Sequence, residues 1–105
     1  STVVPQPLEN SITAAEAKNY YGKEVLVCSN VYKIKKFDTV TFITVGDRYP
    51  NSPLTLVVFA KDRDKFNGDL EDIYNNKYIC ITGDVKEYKE KAEIIIDRPD
   101  EIIVQ

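Results

Sequence analysis

From Tyr78 to Val85 the residues alternate. Ile79 and Ile81 fall between Tyr78, Cys80 and Thr82, the period of two of a strand with one buried face. Gly83 interrupts the pattern and Val85 resumes it. A glycine inside a strand marks a bulge or sharp bend, because it accepts backbone angles that other residues avoid. A charged turn at Lys89-Glu90-Lys91 follows, then a second strand from Ala92 to Asp97. Pro99 closes that strand, since proline cannot donate to a ladder. A bent strand with a hairpin partner predicts a small closed barrel, where curvature has to be built in.

The chain echoes this stretch earlier. Lys23–Val31 aligns without gaps on Lys77–Val85, and both segments follow a Tyr and a turn. The match is too short for a solenoid repeat and predicts two similarly curved strands of one barrel. The first strand is expected over Glu24–Phe37, with Val25, Val27 and Val31 inward and a bulge at Ser29-Asn30. Thr39–Val45 reads as a second strand, apolar or threonine on both faces, so its inward side stays open. Residues 46–53 form a loop punctuated by Pro50 and Pro53. Leu54–Ala60 is a third strand, apolar on both faces and expected to be covered on both.

Lys61–Tyr74 is polar and acidic, anchored by Phe66, Leu70, Ile73 and Tyr74, and predicts one or two short helical turns capping the barrel. Ahead of the first strand, Thr13 and Glu16 fit a capping box that opens a short helix ending near Gly22. Ala14, Ala17 and Tyr21 share one face of that helix. Residues 1–10 carry Pro5 and Pro7 and read as an extended tail or linker, leaving 11–105 as a single domain. The expected fold is mainly β. Five strands, an N-terminal helix and a short helical connection between strands three and four make up the layout of an OB-fold barrel.

The same residues resemble a bacterial group of small OB-fold proteins of the tRNA/helicase type of nucleic-acid binders. The resemblance runs from Ile12 to Ile103. It rests on Ala-Lys-Asn-Tyr-Tyr-Gly-Lys-Glu-Val at 17–25, Val-Thr-Phe-Ile at 40–43, and Gly46 followed by Tyr-Pro-Asn. Leu-Thr-Leu-Val-Val-Phe at 54–59, Thr-Gly-Asp-Val-Lys-Glu-Tyr at 82–88 and Glu-Ile-Ile-Ile before Pro99 complete it. The resemblance implies a domain that occurs alone in exported proteins or fused to nucleases. Two departures stand out. Ser29 occupies a position where such proteins usually bend at a glycine, and Glu90 lies where a turn glycine is expected.

The chain contains no methionine, so Ser1 reads as preceded by a leader peptide or by trimmed residues. Export (periplasmic, secreted or lipid-anchored) is expected slightly ahead of a cytoplasmic location, and the missing methionine does not decide between them. Cys28 and Cys80 are the only cysteines. They could be bridged if their strands are neighbours, as they would be in the expected barrel, and a bridge would imply an oxidising compartment. The reading that the residues favour is two half-buried free thiols acting as small apolar groups. No apolar run approaches the ~20 residues of a transmembrane helix.

Without histidine, a Ser-His or Cys-His nucleophile is excluded, and acid–base work would fall to carboxylates. Asp62, Asp64, Asp69, Glu71 and Asp72 form the one acidic cluster. Asp62-Arg-Asp64 starts like a calcium loop, but Phe66 takes a ligand position and Gly68 falls one residue late. A solvated polar face is the expectation, with no catalysis, cofactor or metal.

Binding is the better-supported activity. OB-folds of the nucleic-acid class use the face of strands two and three, flanked by the loops joining strands one to two and four to five. Both loops are basic here. Lys33, Lys35 and Lys36 enter the first, Lys86, Lys89 and Lys91 surround the second, and Tyr32, Phe37 and Tyr88 stand among them, with Arg48 and Tyr49 on the next loop. Lysines beside stacking rings are what a single strand of nucleic acid requires. The net charge of −3 argues for weak binding. It leaves open the alternative of an exported domain that binds another protein or a saccharide.

Overall fold

A computed structural model of the chain describes residues 4–105, so the first three residues of the expected tail lie outside the described range. Residues 4–10 are exposed and carry no helix or strand. The Leu8 amide reaches back to Cys28 Sγ at 3.5 Å. A 3-10 helix follows over Ala14–Asn19, opened by the expected capping box of Thr13 and Glu16. It is tighter than an α-helix, and it buries Ala14 and Ala17 against the core, with Tyr21 packed alongside. Gly22 adopts φ 80°, the left-handed conformation expected of it, and its amide donates to the carbonyl of Val85.

The strands are β1 (Glu24–Lys36), β2 (Val40–Val45), β3 (Leu54–Phe59), β4 (Tyr78–Tyr88), β5 (Lys91–Ile95) and β6 (Ile102–Val104). Between β3 and β4 lie two short helices, α1 (Ala60–Arg63) and α2 (Leu70–Tyr74). The sheet order is β1-β2-β3-β5-β4-β6, and β1 also pairs with β4, so five strands close a ring. All pairings in the ring are antiparallel except β3 with β5. Every ring strand contributes to the core: Val27, Ile43, Leu54, Leu56, Ile81 and Ile94 are fully enclosed. Phe66, Leu70 and Tyr74 join them from the helical connection, the anchoring role expected of them.

The echo between Lys23–Val31 and Lys77–Val85 has a structural meaning. The two segments are antiparallel partners, with Val27 opposite Ile81 at the centre. Each therefore sees the other across a local two-fold axis, and like positions do like work. Cys28 faces Cys80 in this register, with their Cα atoms 4.0 Å apart, and the two are disulfide-bonded. This corrects the favoured reading of free thiols. Because Val27 and Ile81 point inward, the bridge lies on the outer side of the β1–β4 sheet, where Leu8 and Gln105 cover it.

Several expectations are corrected. The irregularity in β1 lies between Val31 and Lys33 and not at Ser29-Asn30. It falls where β1 leaves β4 for β2, and it moves the inward position from Val31 to Ile34. Gly83 does not interrupt β4, which runs unbroken past it. Its missing side chain is needed for space: a Cβ there would sit 2.6 Å from Ile94 Cγ2. The third strand is covered on both faces only at its centre, where Val57 on the outer side is 3% exposed; Thr55 is half-buried and Phe59 39% exposed. A sixth strand was also missed. After a 3-10 turn over Pro99–Glu101, Ile102–Val104 pairs with β4 beside the disulfide.

The β4–β5 hairpin turns on Lys89 and Glu90, with φ of 51° and 67°. Two-residue turns of this kind favour glycine, because side chains are strained at positive φ. Replacing Glu90 by Gly is expected to raise stability by about 1 kcal/mol, which urea denaturation would register as a higher midpoint at unchanged slope.

Candidate functional site

Strand alternation fixes which residues the ring turns outward. With Thr41, Ile43 and Val45 buried, β2 presents Val40, Phe42 and Thr44 on its other side. On β3 the outward residues are Thr55, Val57 and Phe59, and on β5 Lys91, Glu93 and Ile95. Register lines them up in rows across the sheet. One row runs Lys35–Phe42–Val57–Ile95, apolar behind a lysine edge. The next runs Lys33–Thr44–Thr55–Glu93–Lys86 and is polar throughout.

The β1–β2 turn closes one end of this face. Lys36 and Phe37 stand there, and the Phe37 ring meets Phe42 edge-on at 5.9 Å between centroids. Lys35 Nζ lies 5.4 Å from the Phe37 ring centre. Arg63 of α1 fixes the turn from below. Its guanidinium donates to the carbonyls of Phe37 (2.7 Å) and Asp38 (2.8 Å) and to Thr41 Oγ1 (3.0 Å).

The other end is made by two loops that meet. Lys91 Nζ donates to the carbonyl of Pro50 at 2.9 Å, tying the β4–β5 hairpin to the 46–53 loop. Tyr49 and Tyr88 are 81% and 57% exposed there, and Lys89 Nζ lies 5.4 Å from the Tyr88 ring centre. Arg48 sits on the same loop, its amide hydrogen-bonded to the Asp47 carboxylate.

The expected site residues therefore divide into two groups. Lys35, Lys36 and Phe37 occupy one end, while Arg48, Tyr49, Tyr88, Lys89 and Lys91 occupy the other. Lys33 and Tyr32 lie along β1 between them, Tyr32 exposed at the register shift. At about 3.4 Å per residue, β2 holds the two ends on the order of 20 Å apart. Phe42, Val57, Phe59 and Glu93 were missed by sequence reasoning. The signal was present in the alternating Val-Thr-Phe-Ile-Thr-Val of β2, but threonine on the buried side hid its parity.

Charge on the face is mixed. Burial pushes the Glu93 carboxyl above its ordinary range, and the Lys86 ammonium opposes this in part. The folded protein thus binds the Glu93 proton more readily than a free side chain does, and the negative charge is lost at a higher pH than usual. Affinity for a polyanion on this face is expected to rise as pH falls through that titration, and Glu93→Gln should flatten part of the rise in a binding titration.

The acidic connection has structural employment. Asp62 is buried and pairs with Lys65 at 2.8 Å, and Asp69 caps α2 through the Glu71 amide. Among the described residues no three acidic or cysteine side chains converge as a metal site, and no helix is long and apolar enough to cross a membrane. A cavity of about 420 Å³ beside the β1–β2 turn is lined by Lys36, Arg63, Asp64, Asp69 and Glu71. It lacks the mostly apolar walls of a small-molecule pocket.

No protein-family model matches this chain. No curated protein matches it either. Solved structures do. The OBody AM1L10 bound to hen egg-white lysozyme aligns with a TM-score of 0.67 at 23% identity, over 99% of this chain and 96% of that one. The OBody AM3L09 bound to the same lysozyme gives 0.62 at 22%, over 92% and 95%. Asparaginyl-tRNA synthetase from Pyrococcus horikoshii, complexed with asparaginyl-adenylate, gives 0.64 at 15%. There the match covers 92% of this chain and only 22% of the synthetase. At such identities the likeness is one of fold, and that fold is OB-like.

Proposed function

We propose that residues 11–105 form an OB-fold barrel acting as a non-catalytic module that binds single-stranded nucleic acid weakly. The ligand would lie across the outer face of β2 and β3. One observation carries the reading: the row Lys35–Phe42–Val57–Ile95 is an apolar strip, half-exposed at Phe42 and Ile95 and closed over Val57, with Phe37 edge-on at its side and a lysine at one end. Bases stack on rings at ~1–3 kcal/mol each, while lysines follow the phosphates. Asp38, Glu87, Glu90 and Glu93 dilute the field, which accords with low affinity. Fold likeness to part of a tRNA synthetase agrees with this reading without carrying it.

A second reading has its own support. The OBody structures are complexes with a protein, and Tyr49 and Tyr88 present large, rigid, exposed rings suited to a protein or saccharide partner. The Cys28–Cys80 bridge favours export to an oxidising compartment, where such partners occur.

Salt separates the two. Fluorescence anisotropy of a labelled mixed-sequence oligonucleotide should rise saturably, with log affinity falling against log salt at about −0.7 per phosphate contacted. Binding that ignores salt, or none with folded protein at high concentration, sinks the nucleic-acid reading in favour of the second.

A further inference from the structure

We propose that Glu93 is a base-reading residue that selects guanine from the bases of a bound single strand, a step that rests on the nucleic-acid reading above. Glu93 lies on β5 in the middle of the polar row, directly opposite Lys86 on β4 and beside Thr55 on β3. It is half-buried, yet among the described residues its carboxylate has neither a hydrogen bond nor an ion pair, even with Lys86 opposite. A partly desolvated carboxylate with no hydrogen bond costs stability, and the Lys86 ammonium opposite offsets this only in part. The carboxylate is poised for an outside donor.

The neighbours supply the rest of the station. Tyr88 faces Lys91 across the hairpin, so it is the diagonal neighbour of Glu93 on the same outward side, roughly 7–8 Å away. A base stacked on the exposed Tyr88 ring would carry its pairing edge towards Glu93, with Lys86 and Lys89 close by for the flanking phosphates. An ionised carboxylate only accepts hydrogen bonds. Guanine presents two adjacent donors, N1–H and the 2-amino group, one for each carboxylate oxygen. Adenine and cytosine present an amino group beside a ring acceptor that the carboxylate repels. Thymine and uracil present one N–H between two carbonyls. Guanine alone matches.

The test uses thymidine pentamers that differ only at the centre, carrying guanine, hypoxanthine, adenine, cytosine or thymine, with anisotropy as the readout. Guanine should bind on the order of tenfold tighter than adenine, cytosine or thymine, the discrimination of one bidentate pair. Hypoxanthine keeps N1–H and lacks the 2-amino group, so it should lose most of that advantage. Glu93→Gln should raise affinity for the adenine, cytosine and thymine pentamers, by removing a negative charge, and lower it for guanine, collapsing the ratio of guanine to hypoxanthine. The hypoxanthine comparison needs no variant, so it stands even if Glu93→Gln folds poorly. Equal, salt-sensitive binding of all five overturns the role of Glu93 and leaves the nucleic-acid reading intact. Binding of none overturns both, and would point to an arginine-bearing protein partner as the donor to Glu93.

Discussion

Replacing Cys28 and Cys80 together by alanine will cost the protein about 4 kcal/mol of stability. The bridge spans 52 residues of sequence, so its reduction frees a long loop in the unfolded chain. The chain-entropy relation for a loop of that length gives the figure quoted. The location makes the loss hard to absorb. Cys28 and Cys80 sit on the β1–β4 seam, the pairing that closes the ring after β1-β2-β3-β5-β4 has been laid down. Both sulfurs are also nearly buried, so the variant forfeits packing under Leu8 and Gln105. Against the 5–15 kcal/mol usual for a domain, this is a large fraction. Urea denaturation of the oxidised protein and the double variant measures it directly. A difference under about 1 kcal/mol would mean that the bridge contributes nothing the sheet does not already hold. Intact mass after alkylation without reductant gives an independent check, since bridged cysteines take up no label.

Reversing Lys35, Lys36 and Lys89 to glutamate is expected to abolish oligonucleotide binding at physiological salt. These ammonium groups are exposed and none makes an ion pair among the described residues. Lys35 and Lys89 each stand over a ring, Phe37 and Tyr88, at opposite ends of the face. If each meets one phosphate, the salt slope should fall by about 2, from three contacts at roughly 0.7 apiece. Arg63→Ala makes a contrasting variant. It leaves those charges in place but removes three hydrogen bonds that hold the β1–β2 turn, so it should weaken binding without changing the slope. Unchanged affinity in the lysine variant would move the site off these loops.

Much of this was legible in the sequence because local rules and tertiary demands agreed. The Thr13–Glu16 box, the alternation of Ile79 and Ile81, and the anchors Phe66, Leu70 and Tyr74 each did what their spacing predicts. The echo of Lys23–Val31 in Lys77–Val85 identified two related strands, neighbours in the expected barrel, although not the register that sets Cys28 opposite Cys80. What was hidden depended on parity and on partners distant in sequence. Thr41 is buried because it accepts from Arg63, so threonine on β2 did not mark the outward side. Gly83 looked like a hinge, whereas Ile94 explains it by occupying the space beside it. Ile102–Val104 forms a strand only because β4 offers an edge there. The loop lysines and rings were visible as composition. The apolar floor between them, with Phe42 and Val57, needed the register.

The central claim is that the outward face of β2 and β3 is the binding surface, and amide chemical-shift mapping with an unlabelled single-stranded oligonucleotide tests it most directly. Shifts are expected for Lys35, Phe42, Val57, Tyr88 and Glu93, continuous across β1, β2, β3, β5 and the hairpin end of β4, while Cys28, Cys80 and Ile103 on the disulfide side stay still. Shifts gathered around the disulfide and β6, with the Phe42 row unmoved, would contradict the claim.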